Sequence, residues 1–253
     1  MRTLLNALGL LALGYALLCL AVFVFQGALI YFPQPRIAAA GTTTLTLAAD
    51  VGPVLVTSRP RAGAQAVLYF GGNAEDVSMS LPELASAFGD AALYLMHYRG
   101  YGGSAGTPAE AGLVADAVQL FDQVRAEHPR VTVIGRSLGS GIAVQLAAAR
   151  PVARLVLVTP YFSLVDIGAA QFPFLPVRWL MRDKFESWRH APRVTAHTTF
   201  VVAEHDEVIP RRSSDALYQR FGAGVATIRV LDGTSHNTVS AHPGYTAALN
   251  AQR

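Results

Sequence analysis

Cysteine occurs once in these 253 residues, at Cys19. A lone thiol excludes an internal disulfide and any multi-cysteine metal site, and it leaves the redox compartment open. Lysine also occurs once, at Lys184, so the 20 basic residues are almost all arginine. They are scattered, with no run of the kind that marks a nucleic-acid arm. Nucleic acid is therefore not an expected partner. The net charge of +3 fits a chain lying close to an anionic membrane surface. Charge of either sign is absent from the whole stretch between Arg2 and Arg36.

That stretch is the first positive signal. Leu4 to Phe25 reads LLNALGLLALGYALLCLAVFVF, about 33 Å of helix and enough to cross a hydrocarbon core. A buried soluble helix would show a polar face, and this segment has none. A cleaved leader would have a shorter apolar core, and the one good cleavage site, Ala38 to Ala40, lies far beyond the apolar residues. Lipoprotein processing before Cys19 wants a small residue where Leu18 stands. The expectation is a single-pass membrane anchor over residues 1–30, followed by a linker at 31–41 containing Pro33 and Pro35. The side of the membrane faced by the rest stays open, because Arg2 and the α-amino group compete with Arg36, Arg59 and Arg61.

Over residues 42–253 short apolar runs alternate with helical stretches. TTTLTLAA and GPVLVTSRP read as a hairpin; AQAVLYF, AALYLMHY, VTVIG, ARLVLVTP, HTTFVVA and ATIRVLD follow, separated by helices. Strands apolar on both faces predict an α/β fold whose mostly parallel sheet is covered on both sides. Residues 161–197 break the alternation and are too long for a plain connection. They read as a small cap. Its aromatic residues, Phe172, Phe174 and Trp179 among them, serve either as the cap's own core or as an acyl groove.

Gly135-Arg136-Ser137-Leu138-Gly139 spells G-x-S-x-G at the end of VTVIG, the pattern of a nucleophile elbow. Five letters alone are only moderately specific. Asp206 in HDEVIP and His236 in GTSHN also sit just past strands, and active groups of open α/β sheets lie beyond the strands' carboxyl ends. The order Ser, Asp, His assigns roles: Ser137 as nucleophile, His236 as its base, Asp206 as the group that orients the imidazole. Glu204, Asp215 and Asp232 are weaker choices for the acid, and the other six histidines read as surface or packing residues. An oxyanion needs two N–H donors; the Leu138 backbone is one candidate, and Asn73 or Ala74 the other. Gly100 to Ala105 formally fits a dinucleotide fingerprint, but no acidic residue ends the next strand, so a glycine-rich turn is the better reading.

IYFP after the apolar segment, LYFGGNAED, YRGYGGSAGTP, GRSLGSGIA, FPFLPVRWLMRDKFES, HDEVIP and SHN follow one another in order. Together they resemble the membrane-anchored branch of the α/β-hydrolase superfamily that includes protein depalmitoylases and lysophospholipid lipases. The resemblance covers nearly the whole chain. It implies a serine hydrolase acting on an acyl ester or thioester, carried by a lipid or an acylated protein, with no metal or organic cofactor. A serine peptidase and a non-catalytic, membrane-tethered scaffold are the other readings. One departure stands out: Gly71-Gly72-Asn73 replaces the branch's usual histidine-glycine-asparagine, which predicts a less constrained oxyanion loop.

Overall fold

The computed structural model describes residues 1–37 and 42–251. The last positions of the expected linker, including the Ala38–Ala40 site, therefore lie outside the described residues. Helix α1 runs Arg2–Ile30, longer at both ends than the apolar run that announces it. It is long and apolar enough to cross a membrane, and its most apolar window is unburied by the rest of the chain. The segment after it is not loose: Tyr31 is only 3% exposed and donates its hydroxyl to Asp183 at 2.9 Å.

Eight strands form one sheet in the order β1-β2-β4-β3-β5-β6-β7-β8. They are β1 Thr43–Ala49, β2 Gly52–Arg59, β3 Gln65–Phe70, β4 Ala92–Met96, β5 Arg130–Arg136, β6 Arg154–Val158, β7 Thr198–Ala203 and β8 Ala226–Leu231. The β1–β2 hairpin is antiparallel and joins β4 antiparallel, with Val56 opposite Met96; all other pairs are parallel. Alternation along each central strand explains the continuous apolar runs. Ala66, Leu68 and Phe70 of β3 enter one core layer, while Val67 and Tyr69 enter the other. Helices α3 (Glu110–Glu127) and α4 (Leu138–Ala149) cover the first face. Helices α2 (Leu81–Ala87) and α9 (Tyr245–Asn250) cover the second. Between β6 and β7 stand α5 (Leu164–Gln171), α6 (Val177–Leu180) and α7 (Ser187–His190), and α8 (Arg211–Tyr218) links β7 to β8.

The chain leaves β3 toward β4 on one side and returns to β5 on the other. The carboxyl ends of β3 and β5 thus meet at a topological switch point, where α/β sheets form their crevices. Two glycines allow the close approach. A side chain at Gly139 would fall on the carbonyls of Phe70 and Gly71, and one at Gly135 on Gly139 and Ala143. Beside this crevice, the loop after β4 is fastened by Arg99, which pairs with Asp116 of α3 at 2.7 Å inside the core.

His97, at the end of β4, is buried beneath the same loop. One ring nitrogen lies 2.9 Å from the Thr57 hydroxyl, and Gly102 packs against the other side of the ring. Burial lowers its pKa from 6.5 to about 4; Asp76 opposes that shift and Arg36 adds to it. The folded state therefore binds fewer protons than the unfolded state between those values, so stability rises with pH there. The contribution is complete above pH 6.5 and is lost as pH falls toward 4. Denaturant titrations across that window should show the wild type losing stability relative to His97→Gln. Parallel losses in the two proteins would rule out this histidine as the cause.

Candidate active site

Ser137 stands between β5 and α4 with φ +47° and ψ −116°, a left-handed backbone that non-glycine residues rarely adopt. The turn is tied down by the Ser137 N–H to the Val158 carbonyl at 2.9 Å. Its hydroxyl lies 3.0 Å from His236 Nε2. The other imidazole nitrogen, Nδ1, meets both Asp206 oxygens at 2.9 and 3.0 Å. A carboxylate only accepts, so Nδ1 carries the proton and Nε2 faces Ser137 with its lone pair. Asp206 is further held by the N–H groups of Val208 at 3.0 Å and Ile209 at 2.6 Å. The HDEVIP turn thus aims the carboxylate at the imidazole, and both side chains are nearly buried, at 1% and 8% exposure. Asp215 is occupied by Arg211, and Glu204 accepts from Gly233 N–H; neither reaches His236.

The loop after β3 is more constrained than its missing histidine predicts. Glu75 is its hub, accepting from the Gly72 N–H at 2.6 Å, the Tyr69 and Ser80 hydroxyls at 2.7 Å each, and Arg136 at 3.3 Å. The Gly71 carbonyl accepts from the Tyr98 hydroxyl at 2.7 Å and the Gly139 N–H at 3.1 Å. Burial pushes both phenols well above their ordinary range, so they remain protonated donors. A side chain at Gly71 would crowd Val77 and Glu75, which explains why glycine stands there.

Of the two donors expected from this loop, Ala74 is engaged: its N–H points to Asn73 Oδ1 at 3.1 Å. Among the described residues, the backbone N–H groups of Leu138 and Asn73 have no acceptor. Both residues border the same cavity as Ser137.

That cavity holds about 400 Å³, and among the described residues no charged side chain lines it. Ser137, Leu138, Asn73 and Ile209 make its floor; Leu164, Ile167, Phe172, Leu175, Leu180 and Met181 supply the cap side. Its remaining wall was not foreseen. Val22, Gln26, Leu29 and Ile30 of α1, with Phe32 beyond it, line the cavity opposite the cap. The Gln26 carboxamide joins the two, donating to the Leu180 carbonyl at 3.1 Å and accepting from the Arg182 N–H at 2.7 Å. Gln26 is the polar interruption in an otherwise apolar helix end, and that was the one available signal.

The cap aromatics divide. Phe172 lines the cavity, whereas Phe174 and Trp179 do not and stand 63% and 88% exposed. Helical geometry gives the reason: Val177, Leu180 and Met181, at i, i+3 and i+4, face inward and leave Trp179 on the opposite side. Of the three, Phe172 alone borders the cavity, and elsewhere in the cap the Phe162 and Trp188 rings stack 5.8 Å apart.

Comparison with known proteins agrees with this architecture. Residues 64–189 match the family model described as serine aminopeptidase, S33. The chain is 35% identical over 228 residues to the uncharacterized protein Rv2307c of Mycobacterium tuberculosis, covering 84% of this chain and 80% of that protein. It is 29% identical over 178 residues to lysophosphatidylserine lipase ABHD12 of Macaca fascicularis, covering 60% of this chain and 44% of the lipase. Among solved structures, Est1E from Butyrivibrio proteoclasticus superposes with a TM-score of 0.64 at 11% identity, over 82% of this chain and 96% of that one. That likeness speaks for the fold alone. Strand order, crevice and relatives together make this chain a member of the α/β-hydrolase family.

Proposed function

We propose that the protein is a serine hydrolase that cleaves ester or thioester bonds of acyl substrates and is anchored by α1 in a membrane. The observation that carries this reading is a Ser137–His236–Asp206 hydrogen-bonded set that borders a largely apolar cavity of about 400 Å³. Residues 1–30 are the anchor and 42–253 the catalytic domain, with residues 161–197 as its cap. Retention of α1 is supported by its contacts. A leader cleaved near residue 40 would take Tyr31 out of the core and strip one wall from the cavity.

In the proposed reaction His236 Nε2 takes the proton from Ser137 Oγ as that oxygen attacks the acyl carbon. Asp206 holds the imidazole tautomer and stabilises the imidazolium. The developing oxyanion is met by the N–H groups of Leu138 and Asn73, each such donor being worth about 2.7–4 kcal/mol of barrier. His236 returns the proton to the departing alcohol or thiol. Water, activated by the same imidazole, then releases the acid from Ser137. A peptidase reading is the less favoured one: an aminopeptidase must hold an α-ammonium group, and no carboxylate among the described residues lines this cavity.

These outcomes test the proposal. Ser137→Ala and His236→Ala should each lower kcat on a p-nitrophenyl ester by about four orders of magnitude or more, and the double variant should be little worse. An alkyl fluorophosphonate should label the wild type and not Ser137→Ala; full activity in that variant sinks the assignment. Lengthening the acyl chain should raise kcat/KM by up to about fourfold per methylene while the cavity continues, because burying each is worth about 0.8 kcal/mol. Phe172→Ala should flatten that rise, and an equal loss on acetyl esters would mean that Phe172 supports only the fold. Finally, Glu75→Gln places an NH₂ group against the donors that fix the loop. It should lower kcat about tenfold with little change in KM, as expected when an oxyanion donor drifts.

A further inference from the structure

The cap's outward face carries Phe172, Phe174 and Trp179, an exposed aromatic cluster beside a helix that is itself apolar. Its height along α1 is set by contacts. The Tyr15 hydroxyl donates to the Phe174 carbonyl at 2.9 Å, and the Arg182 guanidinium lies 5.2 Å from the Phe23 ring centre. A hydrocarbon core of about 30 Å takes about 20 helical residues. Counted from Arg2, the one charged residue of α1, that span ends near Phe23. Every window of about 20 residues within the uncharged Thr3–Ile30 contains Tyr15, so the cap meets α1 inside the span. Tyr15, and with it the cap tip, lies about 12 Å on the lipid side of Phe23. Arg182 is left at the headgroup boundary.

The tip is also built for such a place. Backbone groups in lipid must be satisfied internally. Six of the eight N–H groups in Phe172–Met181, those of Phe172, Leu175, Val177, Trp179, Leu180 and Met181, donate to nearby carbonyls; those of Phe174 and Arg178 have no acceptor among the described residues. Pro173 and Pro176 have no N–H to satisfy. The Phe174 carbonyl is met by Tyr15. Arg178 pairs with Asp166 at 2.6 Å, which neutralises the one charge within the tip.

We propose that the cap tip is a second membrane-contact surface, immersed in the leaflet beside α1, so that the cavity between them opens into lipid. Its partner is the bilayer itself. The substrate is then a single-chain acyl ester whose tail slides between α1 and the cap to reach Ser137 without first entering water. This rests on the reading of α1 as a membrane span and of Ser137 as the nucleophile.

Trp179 is one of two tryptophans, so Trp188→Phe leaves it as the only indole reporter. That full-length variant, reconstituted in phosphatidylcholine–phosphatidylglycerol vesicles, should float with them. Its emission should be blue-shifted and quenched by phosphatidylcholine brominated along one acyl chain. Flotation with water-exposed, unquenched emission overturns the immersed tip and leaves the anchor standing. Failure to float overturns the anchor and the tip together. This optical measurement needs no turnover, so loss of the hydrolase reading does not mask it. In a second arm, Trp179→Asp should lower kcat/KM for a monoacyl ester held in those vesicles about tenfold, the order expected for placing a charge in an interfacial face. Turnover of a soluble short ester should stay unchanged. Equal effects on both substrates overturn entry from the bilayer.

Discussion

One carboxamide keeps three parts of the molecule in register. Asn73 Nδ2 donates to the Ile30 carbonyl at 2.6 Å, closing the end of α1. Its oxygen accepts from the Phe32 N–H at 3.1 Å, the Tyr101 hydroxyl at 2.8 Å and the Ala74 N–H. The apolar helix, the turn after β3 and the glycine-rich loop after β4 therefore share a single node. The same residue's backbone N–H is left free beside Ser137. Any shift of α1 is transmitted through one rigid amide to a proposed oxyanion donor.

The rest of the crevice is held by the sheet. Ser137's left-handed backbone costs about 1–3 kcal/mol and persists only where the surroundings over-determine it. Here the surroundings are α4 pressed onto the end of β3 through Gly139, and the Ser137 N–H bonded across to β6. Glu75 does the corresponding task on the facing loop. Four donors converge on its one carboxylate and order the loop that begins at Gly71. The switch point gathers both loops at one edge.

What was legible in the chain followed from local physics. The central strands were readable because a strand covered on both faces has to be apolar at consecutive positions, as in VLYF or RLVLV. The relay was readable because its three residues each follow a strand and reach the same edge by topology alone. Side-chain direction within the cap was not. A four-residue helix such as Val177–Leu180 is too short for periodicity to reveal its inward face, so Trp179 and Leu180 read alike as apolar. Nor could the role of Glu75 be read, since a carboxylate hub depends on donors from β3, the turn itself, Ser80 and Arg136. The wall supplied by α1 was hidden for a different reason. A segment uniform enough to announce a membrane span carries almost no pattern to announce a second packing face, and only Gln26 broke it.

That second face changes what the helix does. The Ser137–His236–Asp206 hydrogen bonds involve no residue of α1 and are built entirely within the sheet domain. The space that would receive an acyl chain is not; it exists only between the cap and Val22, Gln26, Leu29, Ile30 and Phe32. A helix that merely tethered could be exchanged for any other of equal length and hydropathy. This one contributes particular side chains to a cavity and particular backbone groups to Asn73, so its register and rotation are constrained by that cavity. In the proposed reading, attachment to the bilayer and selection of the acyl chain are therefore properties of the same residues, and neither can be altered without the other.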